Sequence, residues 1–101
     1  MLDIKLVNKG QEAELLVKGR IDSSVAVDLQ KQLFSVADRF QQITLNLADL
    51  AYISSAGLRA LKSLRSAMRD KGGIIRITNV RKDVKDVFVI TGFYNLFDFE
   101  E

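Results

Sequence analysis

Apolar and polar positions alternate along this chain with a period that changes several times. Leu2, Ile4 and Leu6 alternate with charged residues, Asn8-Lys9-Gly10 supplies turn chemistry, and a second apolar run, Leu15-Leu16-Val17, lies within Glu14 to Lys18, which predicts a hairpin. After Gly19, the segment Arg20-Ile21-Asp22-Ser23-Ser24 reads as an N-cap cluster. Leu29, Leu33, Val36, Ala37 and Phe40 then fall on one helical face and predict a helix over 24–39. Ile43, Leu45 and Leu47 alternate with Thr44 and Asn46, a strand pattern that ends near Ala48-Asp49. A second helix opens at Ser54-Ser55, with Leu58, Leu61, Leu64, Ala67 and Met68 on one face and Arg59, Lys62, Arg65, Arg69 and Lys71 mainly elsewhere; Lys71-Gly72-Gly73 stops it. Ile74 to Ile77 reads as a strand, Val84, Val87, Phe88 and Thr91 as a third helix closed by Gly92, and Leu96 to Phe99 as a short edge strand.

A hairpin followed by alternating helix and strand implies an α/β fold with a mixed β-sheet whose later strands are joined by crossovers. Crossovers this short most simply place all three helices on one face, leaving the other partly wet. With 101 residues and 48% hydrophobic content, one domain spanning 1–101 is expected.

Composition removes several function classes. Fifteen Lys and Arg stand against 13 Asp and Glu, so the dense basic footprint of a nucleic-acid binder is absent, and the cations of the second helix read as a solvated face. The chain has neither Cys nor His, which excludes disulfides, thiolate ligands and the commonest general base and metal ligand; no cofactor is expected. Asp22 and Asp49 would have to converge on a Ser nucleophile that lacks an activating base, so a non-enzyme is expected. The first ten residues read as a strand and not as a signal peptide, and no apolar run approaches the ~18 residues of a membrane span. A soluble cytoplasmic protein, not inserted in a membrane, is the expectation.

The most informative stretch is LNLADLAYISSAGLRAL, residues 45–61, where an apolar strand runs into a Ser-Ser-Ala-Gly turn and an amphipathic helix. A helix start leaves N–H groups unpaired and carries partial positive charge, so a Ser there either caps the helix or tolerates an added phosphate. Either Ser54 or Ser55 fits the cap, the commoner role. Gly57 is expected to keep the surface near Ser55 low for an approaching partner.

The element order, the Gly19-Arg20-Ile21-Asp22 turn, the LNLADL strand and the ISSAGLRAL turn together resemble a STAS domain, specifically the stand-alone bacterial anti-sigma factor antagonists. The resemblance covers essentially the whole chain, and Asp49 to Leu58 is its most specific part. In that family the Ser two residues before the turn glycine is phosphorylated, which implies Ser55, with Ser54 as second choice. The residue before it is commonly Asp, and here it is Ser54. The resemblance further implies a partner-binding patch of Asp22, Ser23, Ser54, Ser55, Gly57 and Leu58.

The implied function is a partner switch. The unphosphorylated protein binds an anti-sigma factor that is also a serine kinase and so frees the sigma factor; phosphorylation at Ser55 abolishes binding, and a PP2C-type phosphatase resets the switch. The alternative is a non-phosphorylated STAS subunit of a transporter, of a lipid-transport ATPase or of a stress-signalling assembly; chain length and the initial Met favour the switch. Phe93, Tyr94, Phe97 and Phe99 make the C-terminus aromatic, and many relatives carry a further C-terminal helix; rings left exposed would favour a partner or a homodimer.

Overall fold

The computed structural model describes residues 2–100, and it opens with the expected hairpin. Strand β1 (Leu2–Lys9) runs antiparallel to β2 (Glu12–Ile21), with Lys9 opposite Glu12 across a tight loop. Gly10 takes φ +86° in that loop and its N–H donates to Asn8 Oδ1 at 2.9 Å. Turns of this hand match the twist of the flanking strands.

Strand β2 is longer at both ends than its apolar run. It passes through Gly19, which takes φ +109° and whose N–H donates to the Asp49 carbonyl at 3.0 Å, and the pairing register shifts between Gly19 and Arg20. Gly19 is therefore an irregularity within a continuing strand and not its end. The length of β2 lets two strands share one side of it: β3 (Gln42–Asn46) pairs with Glu12 to Leu16, and β4 (Leu50–Ile53) with Gly19 to Ile21, both parallel.

The sequence pattern ends this strand near Ala48-Asp49 and then runs straight into the serine turn; β3 does end there, and the structure adds a separate strand, β4, between the Ala48-Asp49 turn and the serines. Within that turn, Ala48 N–H donates to Asn46 Oδ1 at 3.1 Å and Leu50 N–H to the Leu47 carbonyl at 3.1 Å. The polar tip Ala48-Asp49 stays exposed, while Leu47 and Leu50 on either side are buried.

Helix α1 (Ala26–Arg39) starts two residues later than predicted, because Asp22 to Val25 form a turn ahead of it. The remaining elements are α2 (Ser55–Asp70), β5 (Ile74–Thr78), α3 (Lys82–Ile90), a 3-10 turn over Tyr94–Leu96 and β6 (Asp98–Glu100). The sheet order is β1-β2-β3-β5-β6, with β4 beside β2 and every pair parallel except the hairpin. From β2 onward the main path advances in one direction across the sheet. Crossovers of one hand then deposit the helices on one face.

One apolar cluster records that arrangement: Leu15 and Ile21 of β2, Leu45 of β3 and Ile77 of β5 meet Leu29 and Leu33 of α1, Leu58 and Leu64 of α2, and Phe88 of α3. Ala67, grouped with the buried face of α2 on spacing alone, is only half-buried. The opposite sheet face carries polar pairs beside the exposed Tyr52 and Ile74, with Thr44 donating to Glu12 at 3.0 Å, Asn46 to Glu14 at 3.1 Å, and Arg76 paired with Glu100 at 3.3 Å. Beyond α2, Lys71 turns its ammonium away from its own helix and donates to the carbonyls of Ala37 and, at 2.9 Å, Phe40, so it closes the end of α1.

The aromatic C-terminus forms a cluster of its own. Phe88 meets Phe97 and Phe99 edge-on, with centroids 5.8 and 5.2 Å apart, and Tyr94 stacks on Phe99 at 4.6 Å. Phe97 is buried, and Phe93, Tyr94 and Phe99 are half-buried, so these rings are mostly used internally.

Candidate functional site

Strands β2 and β4 end side by side, and that places the site. Ile21 pairs with Ile53, and Ser54 N–H donates to the Ile21 carbonyl at 2.8 Å, so the loop after β2 and the start of α2 are neighbours. Sequence positions 22–24 and 54–55 thereby come together across one strand pairing.

The two serines separate cleanly. Ser54 has extended backbone (φ −88°, ψ 170°), and its Oγ accepts the Gly57 N–H at 3.1 Å while its carbonyl accepts the Leu58 N–H at 2.9 Å. This is the geometry of an N-cap. Ser55 is the first residue of the helix, is exposed, and its hydroxyl has no hydrogen-bond partner among the described residues. The cap is thus assigned to Ser54, and the hydroxyl left available at the positive end of α2 is that of Ser55.

Asp22 organises the facing loop. Its Oδ1 accepts the Ser24 hydroxyl at 2.6 Å, the Ser24 N–H at 3.0 Å and the Val25 N–H at 3.3 Å. The Ser24 hydroxyl foremost, and then the two backbone N–H groups, hold its carboxyl below the usual aspartate range. Ser23 projects from the same turn and is exposed. Asp22 therefore shapes the loop, and Ser23 is its outward-facing member.

Gly57 and Leu58 stand differently from the surface role given to them on resemblance. Leu58 is fully buried, and Gly57 is buried against the sheet: a Cβ built on it would lie 2.5 Å from Ile21 Cγ2 and 2.9 Å from Ile53 Cγ1. The glycine lets α2 lie close on β2 and β4, and it does not serve to lower the outer surface. Both residues set the height and angle at which Ser55 is presented. Asp49 lies at the opposite end of β4, about 13 Å of strand away, so it does not converge with Asp22 on Ser55.

Sequence spacing did not single out the groove that contains Ser55. It runs along the outer face of α2 past Arg59, Lys62 and Ser66, walled by Phe34 of α1 and by Thr91 and Phe93 beyond α3. Phe34 is 38% exposed, and Val27, two turns before it, is more so, a signal present in the sequence as apolar residues off the buried stripe of α1. On the open face of the sheet, the Arg20 guanidinium lies 4.5 Å over the Tyr52 ring, one residue before Ile53. Among the described residues no group of His, Cys, Asp and Glu is arranged to hold a metal ion, and no helix is long and apolar enough to cross a membrane.

Comparison with known proteins agrees with this architecture. The STAS domain model matches residues 5–101. BtrV of Bordetella bronchiseptica, assigned as an anti-sigma factor antagonist, is 32% identical over 82 residues, covering 80% of this chain and 71% of that protein. The anti-sigma-B factor antagonist of Bacillus subtilis is 22% identical over 97 residues, covering 96% of this chain and 89% of the other. Among solved structures, the unphosphorylated form of the anti-sigma factor antagonist SpoIIAA superimposes with a TM-score of 0.83, at 14% identity over 98% of this chain and 89% of that one, which is a likeness of fold. The chain belongs to the STAS domain family, and the relatives it matches carry the name anti-sigma factor antagonist.

Proposed function

We propose that this protein is an anti-sigma factor antagonist controlled by phosphorylation of Ser55. In its unphosphorylated form it binds an anti-sigma factor that is also a serine kinase, and the sigma factor is released. The kinase phosphorylates Ser55, binding is lost, and a PP2C-type phosphatase restores the starting state in the cytoplasm. One observation carries the acceptor assignment: the Ser55 hydroxyl is exposed and unpaired at the first position of α2, whereas the neighbouring Ser54 hydroxyl is committed to the cap. The names of the two sequence relatives carry the partner class.

The chemistry of the switch needs no rearrangement of the fold. A phosphoryl group adds about −1.5 to −2 charges and three acceptor oxygens at a surface that otherwise fits a partner closely. Bulk and desolvation then oppose docking, while the helix N-terminus accommodates the anion. The loop carrying Ser23, held by Asp22, forms the adjoining part of the docking surface. The protein acts as a binding module and contributes no catalytic group of its own.

Incubation with the cognate kinase and ATP, read by intact-mass spectrometry, tests the assignment. One phosphate on the wild type and none on Ser55→Ala is the expected result. A single phosphate that persists on the Ala variant would move the site to Ser54, and no phosphate on either protein would overturn the switch.

A further inference from the structure

We infer that Arg59, assisted by Lys62, closes over the phosphate of phosphorylated Ser55 as an intramolecular cationic clamp. This inference rests on the proposed phosphorylation of Ser55. Ser55, Arg59 and Lys62 line the same groove along α2. Arg59 is four residues after Ser55, the spacing that places two side chains on one helix face about 6 Å apart at their Cβ atoms.

Direction matters as much as spacing. The Cα–Cβ bonds of a helix tilt toward its N-terminus, so Arg59 and Lys62 both lean back over the turn that presents Ser55. Both residues are exposed, and neither makes an ion pair among the described residues, so no existing contact has to break. A guanidinium offers paired N–H donors that match two phosphate oxygens, whereas Lys62, two turns from Ser55, adds a point charge at longer reach.

The rest of the groove does not compete. Its walls, Phe34, Thr91 and Phe93, are uncharged, and its acidic member, Asp70, lies at the far end of α2, about 22 Å along the helix from Ser55. In the neighbouring loop, Asp22 Oδ1 accepts from Ser24 and Val25, which holds that carboxylate within its own turn. Phosphorylation would then fold the new anion down onto α2. It would also withdraw two cations from the surface, so the patch a partner meets changes by more than the added group.

The test is a titration of the full-length protein with phosphoserine placed at position 55 during translation, so that no kinase is required. Phosphorus NMR reads the second ionisation of the phosphate, near pH 6 when free. The clamp predicts a midpoint about 0.5 pH unit lower in the wild type than in Arg59→Ala, with Arg59→Lys between them. Arg69→Ala, which removes a cation from the distant end of α2, should leave the midpoint at its wild-type value. Equal midpoints for wild type and Arg59→Ala, or an equal shift from Arg69→Ala, would overturn the clamp. The switch itself fails on a different observation, the absence of kinase-dependent phosphate on Ser55.

Discussion

Replacing Gly57 with Ala separates two roles that one glycine can play at the mouth of a helix. If the glycine only clears space for a partner, alanine should stabilise the isolated protein, because Ala is favoured over Gly inside a helix by about 1 kcal/mol. The structure predicts the opposite sign. The added Cβ would lie 2.5 Å from Ile21 Cγ2 and 2.9 Å from Ile53 Cγ1, and both isoleucines are within 2% of complete burial. Carbon atoms rest at roughly 3.5–4.0 Å, so α2 must lift by about 1 Å. The branched isoleucines have little χ1 freedom with which to yield. Overpacking of this kind costs up to about 3 kcal/mol, and after the helix gain a net loss of about 2 kcal/mol remains. For a domain of this size that lowers Tm by about 8–16 °C, readable by calorimetry or circular dichroism. Since Ser54 and Ser55 ride on the displaced turn, the variant should also accept phosphate more slowly from the kinase. A Tm equal to or above that of the wild type would show that the close seating of α2 on Ile21 and Ile53 does not control this helix.

Three further outcomes follow from the site. Ser54→Ala removes the acceptor for the Gly57 N–H and should cost about 1 kcal/mol in urea denaturation, whereas Ser54→Asp keeps an acceptor at the helix start and should hold wild-type stability; equal loss in both variants would refute the cap. Ser55→Asp should weaken binding to the kinase by calorimetry, and a loss of about 2–3 kcal/mol corresponds to roughly 30- to 150-fold; unchanged affinity would refute charge disruption. Because the folded protein holds the Asp22 carboxyl below its ordinary range, chiefly through the Ser24 hydroxyl, that carboxylate contributes stability above the unfolded pKa of about 4, and the contribution is lost as the pH falls through the lower folded value. Asp22→Asn keeps an oxygen acceptor without the titration, so its Tm should fall less between pH 7 and pH 3 than that of the wild type; parallel curves would remove Asp22 from the acid response.

Much of the fold was legible because burial here follows simple periods. In β2, Ala13, Leu15 and Val17 are buried at every second position, and in α1, Leu29, Leu33, Val36 and Ala37 are buried at helical spacing. What escaped the pattern was set by pairing between distant segments. The alternation that ends near Ala48-Asp49 left the four residues Leu50 to Ile53 without a pattern of their own, and only β2, long enough to accept a second partner, makes them a strand. Gly19 looks locally like a stop and proves to be a register shift within β2.

The serine turn shows the same division. Local sequence alone determined that a hydroxyl would meet the start of an amphipathic helix, since Ser-Ser-Ala-Gly precedes a 3.6-residue pattern, and it allowed either serine to serve as the cap. Tertiary structure decided between them: the Ser54 N–H is bonded to the end of β2, which aims its Oγ inward at the Gly57 N–H and leaves Ser55 facing solvent. It likewise turned Gly57 from a surface residue into a packing contact and brought Asp22 and Ser23 beside Ser55. Periodicity reports which face of an element is buried. The neighbours across that face, and hence the hydroxyl left free, depend on strand pairings and a helix height set by residues more than 30 positions apart, such as Ile21 and Gly57.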